Sequence, residues 1–232
     1  MNSIQTTETL VAGICGTLQR PKSDMKTTCQ SENAPLWSQD ARWRAFHVGL
    51  DSRHHPKIEM LLKAAEWLCK AYLSGDRSKG SSLVVAGNTG CGKTHMAKRV
   101  WEYVRARQVS AFLDGKLGGG NHIGDPAFVR WERVAEMDDR DWTEVVRGDV
   151  KPARFVILDD IGADTDQFKS GVPARRLKEV LDAAEGKWLL VTTNVGKPDW
   201  KDRFGQRVAD RLAPARYLGL FEVPSYRQLS TP

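Results

Sequence analysis

The sequence is poor in cysteine: four in 232 residues, Cys15, Cys29, Cys69 and Cys91, with no C-x-x-C pair and no histidine at zinc-finger spacing. That argues against a disulfide framework and a structural zinc site, and reduced thiols are expected. Long hydrophobic runs are also missing. The longest, around Leu83 to Ala86, is strand-sized, far from the roughly 20 apolar residues that span a bilayer. A short apolar patch from Leu10 to Cys15 has no basic segment ahead of it, so no secretory signal is expected. These absences point to a cytoplasmic protein without a membrane partner. No internal repeat occurs. Hydrophobic residues at 41% and charged residues at 28% exclude a wholly disordered, collagen-like or membrane-embedded chain.

Bases exceed acids, 35 to 29, giving a net charge of +6. The excess is local: residues 37–110 hold 13 bases against 6 acids, residues 111–150 are net −4, residues 151–196 are neutral, and residues 197–232 are +3. A basic block of this kind is either a solvated helix face or a surface for phosphate backbone. Residues 1–36, rich in Thr, Ser, Gln and Asn, read as a flexible tail with room for a partner-binding helix, and residues 37–232 as one domain.

Within that domain, Ile58, Leu61, Leu62, Ala65, Leu68, Cys69 and Tyr72 recur at helical spacing. Five β-rich runs follow: Leu83 to Ala86, Ala111 to Leu113, Arg154 to Asp159, Trp188 to Thr193 and Leu218 to Val223. Helical patterns at Thr94 to Arg107 and Pro173 to Glu185 separate them. Strands alternating with helices predict a parallel sheet covered on both faces. Gly115 to Gly124 reads as a glycine-rich loop.

Residues 87–94 read Gly-Asn-Thr-Gly-Cys-Gly-Lys-Thr, a complete G-x-x-x-x-G-K-S/T between a strand and a helix. Gly87, Gly90 and Gly92 let the backbone turn its N–H groups toward phosphate oxygens, and the following helix offers its N-terminus to the same charge. Lys93 is expected to bridge the β- and γ-phosphates, and Thr94 to ligate Mg²⁺. The whole stretch, with Asn88, Thr89, Cys91 and His95, is the expected ATP-contact segment; Cys91 is assigned no chemistry of its own beyond a possible sensitivity to alkylation.

Phe155-Val156-Ile157-Leu158-Asp159-Asp160 is an apolar strand ending in two acids, the Walker B form. Adjacent strand residues face opposite sides, so the two acids should differ in role: Asp159 for Mg²⁺, Asp160 for the attacking water. Asn194 ends the run Val191-Thr192-Thr193-Asn194, at the strand end where open α/β sheets bind ligands, and is a candidate contact for the γ-phosphate or the water.

In this order, with FGQRVADRL and PSYR after them, these motifs resemble the AAA+ ATPases of the DnaC-like helicase loaders and their IstB-like transposition relatives, over roughly residues 45–228. The resemblance implies an α/β AAA+ P-loop core, a five-stranded parallel sheet flanked by helices, without a substantial C-terminal lid domain. It implies Arg211 as an arginine finger acting on a neighbouring subunit's ATP, Arg207 as its assistant, and Arg227 as a sensor arginine. Spacing agrees for the pair, since residues four apart share a helix face. It further implies an ATPase, slow and stimulated by oligomerisation or DNA, that binds ATP, Mg²⁺ and single-stranded DNA, self-associates into a ring or spiral, and loads a replicative hexameric helicase. The alternative is an IstB-like helper that remodels target DNA and recruits a transposase. Asp160 departs from the Glu common in the wider class.

Single-strand binding combines bases with aromatics. Candidates are Arg42, Trp43 and Arg44; Lys98, Arg99, Trp101, Arg105 and Arg107; and Arg130, Trp131 and Arg133, the last group preferred.

Overall fold

The computed structural model describes residues 55–78, 80–113, 125–134, 136–163 and 171–225. The segment 1–36, Arg42 to Arg44, the glycine-rich loop and Arg227 lie outside the described residues. Helix α1 (His55–Ser74) precedes strand β1 (Ser82–Ala86), and α2 (Lys93–Leu113) follows the P-loop. Strand β2 (Ala127–Arg130) runs directly into a single helical turn, α3 (Trp131–Val134). Helix α4 (Asp139–Glu144) continues as a π-helical segment, Val145–Val150, before β3 (Phe155–Ile161). Then come α5 (Val172–Ala183), β4 (Trp188–Thr193), a 3₁₀ turn at Lys197–Asp199, α6 (Trp200–Phe204), α7 (Gln206–Leu212) and β5 (Arg216–Gly219).

The five strands form one sheet in the order β2-β3-β4-β1-β5, every pair parallel. The three central strands, β1, β3 and β4, are buried on both sides, which explains their near-continuous apolar runs. Alternate residues feed two cores. Leu83, Val85, Phe155, Ile157, Trp188 and Leu190 pack with α1 and α2 on one face. Val84, Val156, Leu158, Leu189 and Val191 pack with α5, α6 and α7 on the other. The P-loop and the chain that follows β3 and β4 therefore leave the C-terminal edge of a sheet anchored on both faces.

Two strand expectations change. Ala111 to Leu113 is the end of α2, and β2 is instead Ala127–Arg130. The apolar triplet prolongs a helix already running, whereas Ala127 and Val129 alternate with half-buried neighbours at the sheet edge, a four-residue signal too short to stand out. The last strand begins at Arg216 and ends at Gly219, so Leu220 to Val223 lie beyond it.

Candidate nucleotide site

The P-loop leaves β1 and its turn needs glycine where the backbone is left-handed, at Gly90 (φ +86°) and Gly92 (φ +96°). A Cβ on Gly90 would overlap the Ser225 side chain, and one on Gly87 would lie 2.8 Å from Leu220 Cβ. The loop is thus clamped by the chain beyond β5, where the Phe221 carbonyl also accepts a 2.7 Å bond from Asn88 Nδ2. In the sequence Ser225 stands out only as part of the terminal Pro-Ser-Tyr-Arg. Leu220 and Phe221 carry no sequence signal for this role, because only the closing of β5 against β1 brings them there.

Lys93, 6% exposed, donates to the carbonyls of Gly87 (2.8 Å) and Asn88 (2.9 Å). Its ammonium is held inside the loop that would wrap phosphate. Thr94 and His95 open α2, and Thr89 is exposed on the loop. Cys91 is buried, with its Sγ 4.0 Å from Lys93 Nζ, and burial raises the thiol above its ordinary value against the pull of Lys93. The expected sensitivity to alkylation is corrected: a buried, protonated thiol is a poor nucleophile.

The two acids are joined by a residue that sequence reasoning passed over. Thr192, fully buried on β4, donates through Oγ1 to Asp159 Oδ1 (2.7 Å) and accepts the Asp160 N–H (2.8 Å). The Thr94 hydroxyl lies close enough to Asp159 to favour its ionised form. Burial raises the Asp159 pKa, as does the neighbouring Asp160 charge, while the Thr192 bond, the Thr94 hydroxyl and the Arg130 charge oppose the rise. Arg130 stands opposite Asp159 in the β2–β3 register.

Asp160 is half-buried at φ +63°, the one left-handed residue other than glycine among the described residues. The register between β3 and β4 shifts between Leu158 and Ile161. A bulge, beyond simple alternation, therefore separates the acids. It also gives the departure from Glu a physical reason, since Asp tolerates the left-handed region better than a longer side chain does.

Asn194 is exposed immediately past β4, at the same sheet edge as the P-loop and the acids. Thr193 secures that corner: its Oγ1 donates to Ile161 O (2.7 Å) and accepts the Val195 N–H, while its carbonyl accepts the Gly87 N–H. A chain of hydrogen bonds thus ties β3, β4 and the start of the P-loop together.

Arg207 and Arg211 share α7, and both are exposed. Arg211 reaches no P-loop residue; it pairs with Asp182 of α5, to which Lys178 also donates at 2.9 Å. These two cations, Lys178 first, hold the Asp182 carboxyl below its ordinary value.

The preferred DNA group does not survive as a stacking surface. Trp131 is 1% exposed and packs edge-to-face on Trp142, because its apolar ring fills the core beneath α3. Arg130 pairs with Glu132 at 3.5 Å, and Arg133 is exposed. Trp101 is half-buried, donates to Pro126 O and lies under Arg105; Arg99 pairs with Glu102; Arg107 lies over Tyr103; and Lys98 is exposed.

The donor set suits a magnesium nucleotide. Hydroxyl and carboxylate oxygens meet at Thr94 and Asp159, and a buried cation lies in a glycine-built cradle that added Cβ atoms would fill.

The sheet order, the P-loop and the paired acids define an AAA+ P-loop fold. Among solved structures, the chain is similar to DnaI at 16% identity and a TM-score of 0.50, covering 72% of this chain and 85% of that one. It is also similar to the DnaC helicase loader (16% identity, TM-score 0.47, 68% and 89% covered). Domain III of the Thermotoga maritima replication initiation protein DnaA matches at 16% identity and a TM-score of 0.48, covering 72% of this chain and 64% of that one. No protein-family model and no curated protein matches the sequence.

Proposed function

We propose that this protein is an ATP-hydrolysing helicase loader that binds ATP with Mg²⁺ and single-stranded DNA, and loads or releases a replicative hexameric helicase on hydrolysis. The observation that carries the ATPase part is the Thr192 hydroxyl, which ties the metal-side carboxylate Asp159 to the backbone of Asp160 beside a P-loop whose lysine is already folded inward. The likeness of the fold to DnaI supports the AAA+ fold that this reading requires, and the order of the motifs along the sequence supports its loader part.

In this reading the loop N–H groups and Lys93 bind the triphosphate, and Thr94 and Asp159 would hold a Mg²⁺ ion, which would supply positive charge to offset that of the triphosphate. Asp160 orients the water and accepts its proton as the oxygen attacks phosphorus, and Asn194 steadies the γ-phosphate end. ADP leaves with the electron pair of the broken bond. Arg211, with Arg207, completes the site of a neighbouring subunit, and Arg227 serves its own. A monomer is then nearly inactive, and turnover is slow until a ring or spiral forms.

The test is ATP turnover against protein concentration, with and without single-stranded DNA, combined with a pull-down in ATP using wild type and Lys93→Ala. Retention of a hexameric helicase by the wild type alone is expected. Retention of a transposase would replace the loader reading with the IstB-like one, and equal per-subunit turnover in dilute monomer would remove the trans arginine.

A further inference from the structure

Five cations gather where the nucleotide reading leaves nothing to do. A cleft of about 540 Å³ opens at the N-terminal edge of the sheet, between the ends of α1 and the β3 and β4 starts. Arg154 immediately precedes β3 and Lys187 immediately precedes β4. Arg77, Arg107 and Lys151 complete the charged lining, and no carboxylate lines the cleft among the described residues. The P-loop and its acids lie at the opposite strand ends, about 20 Å away by the rise of six strand residues.

Three of the cations are held by neutral groups. Arg77 donates to Gly186 O at 2.6 Å and lies over the Trp188 ring. Lys187 donates to the carbonyls of Val150 (2.7 Å) and Lys151 (2.6 Å). Arg107 bonds the Tyr103 hydroxyl, while Lys151 and Arg154 are exposed. None of the five is paired with a described carboxylate. Carbonyls, a hydroxyl and rings orient Arg77, Arg107 and Lys187 without neutralising them, so their charge remains available to an anion. Burial, and secondarily the Lys151 charge, lower the Lys187 pKa. Gln108 adds a neutral group: its Nε2 donates to Tyr72 Oη, and its buried Oε1 has no hydrogen-bond partner.

We infer that this cleft is a second anion-binding site, separate from the nucleotide pocket, which takes the phosphate backbone of single-stranded nucleic acid. The proposal rests on the single-strand binding part of the function proposed above and gives it a location. Several cations around one mouth suit successive phosphates of a strand. Of the helix residues considered for DNA from sequence, only Arg107 belongs here; Arg130 and Arg133 lie elsewhere.

The test compares wild type with Arg107→Gln/Lys151→Gln/Arg154→Gln, three exposed positions outside the ATP machinery. Affinity for a single-stranded oligonucleotide of about 20 nucleotides is measured by anisotropy across a salt series. Circular dichroism and ATP turnover without DNA serve as controls. The variant should keep its fold and basal turnover, bind the strand at least about tenfold more weakly, and lose about 2 from the salt slope, at roughly 0.7 per phosphate contact. Equal affinity and slope in a wild type that does bind the strand would overturn the cleft and leave single-strand binding standing elsewhere. A wild type that binds no strand would remove both. Displacement of the strand by inorganic pyrophosphate as effectively as by unlabelled strand would mark a small-anion site and overturn the proposal.

Discussion

Thr192→Val removes one hydroxyl and almost no volume, yet it should disturb both acids together. The hydroxyl is fully buried and serves Asp159 Oδ1 as donor and the Asp160 N–H as acceptor. Its loss leaves a partly buried N–H without its partner and takes one stabilising bond from a carboxylate that burial already disfavours, at a combined cost of roughly 1–3 kcal/mol. At about 2 kcal/mol, a domain of this size should lose roughly 4–8 °C in Tm. The Thr192 bond lowers the Asp159 pKa, so its removal raises that pKa further. The acid limb of kcat/KM for ATP should therefore move to higher pH. Thermal unfolding and a pH–rate profile read the two effects separately, and Thr192→Ser, which keeps the hydroxyl, should restore most of both. A valine variant with wild-type Tm and an unmoved acid limb would refute the bridging role.

Asp159→Asn should abolish Mg²⁺-dependent turnover yet leave the ligand-free protein at least as stable at pH 7. The folded pKa of Asp159 lies above its unfolded value, so burying the ionised group costs stability at neutral pH and costs nothing once pH falls below the unfolded value. The advantage of Asn should shrink as unfolding is followed from pH 7 toward pH 4, and a variant less stable at both ends would contradict this. Asp160→Glu should lose about 1 kcal/mol in urea unfolding, because the longer side chain fits φ +63° less well, without gaining turnover. Asp182→Asn frees Arg211 from a half-exposed pair of the kind worth at most about 1 kcal/mol, so half-maximal ATPase should come at up to about fivefold lower protein concentration. An unchanged or higher midpoint would mean that the pair does not compete with assembly.

Much of the site was legible because its chemistry is local. A P-loop needs glycines, a lysine and a threonine at fixed spacing, and a buried parallel strand shows as a continuous apolar run, so Gly87 to Thr94 and Phe155 to Asp160 announce themselves. The π-helical segment Val145–Val150 and the bulge at Asp160 had no such signature, since both are settled by packing and register. Tryptophan was the least informative residue: Trp131 sits beside two arginines in sequence, yet its ring belongs to the core.

The basic excess shows the same division. Sequence by itself determined that bases outnumber acids, that Lys93 belongs to a G-x-x-x-x-G-K-T loop, and that the domain alternates strand and helix, because each follows from composition or short spacing. Only the tertiary structure decided which cations meet. Arg77, Arg107, Lys151, Arg154 and Lys187 span more than a hundred positions and share one cleft because parallel strands align their starts along one edge. Thr192 became the link between the acids for a related reason: β4 lies beside β3 in the sheet, and hydrogen bonds are made between neighbours in space.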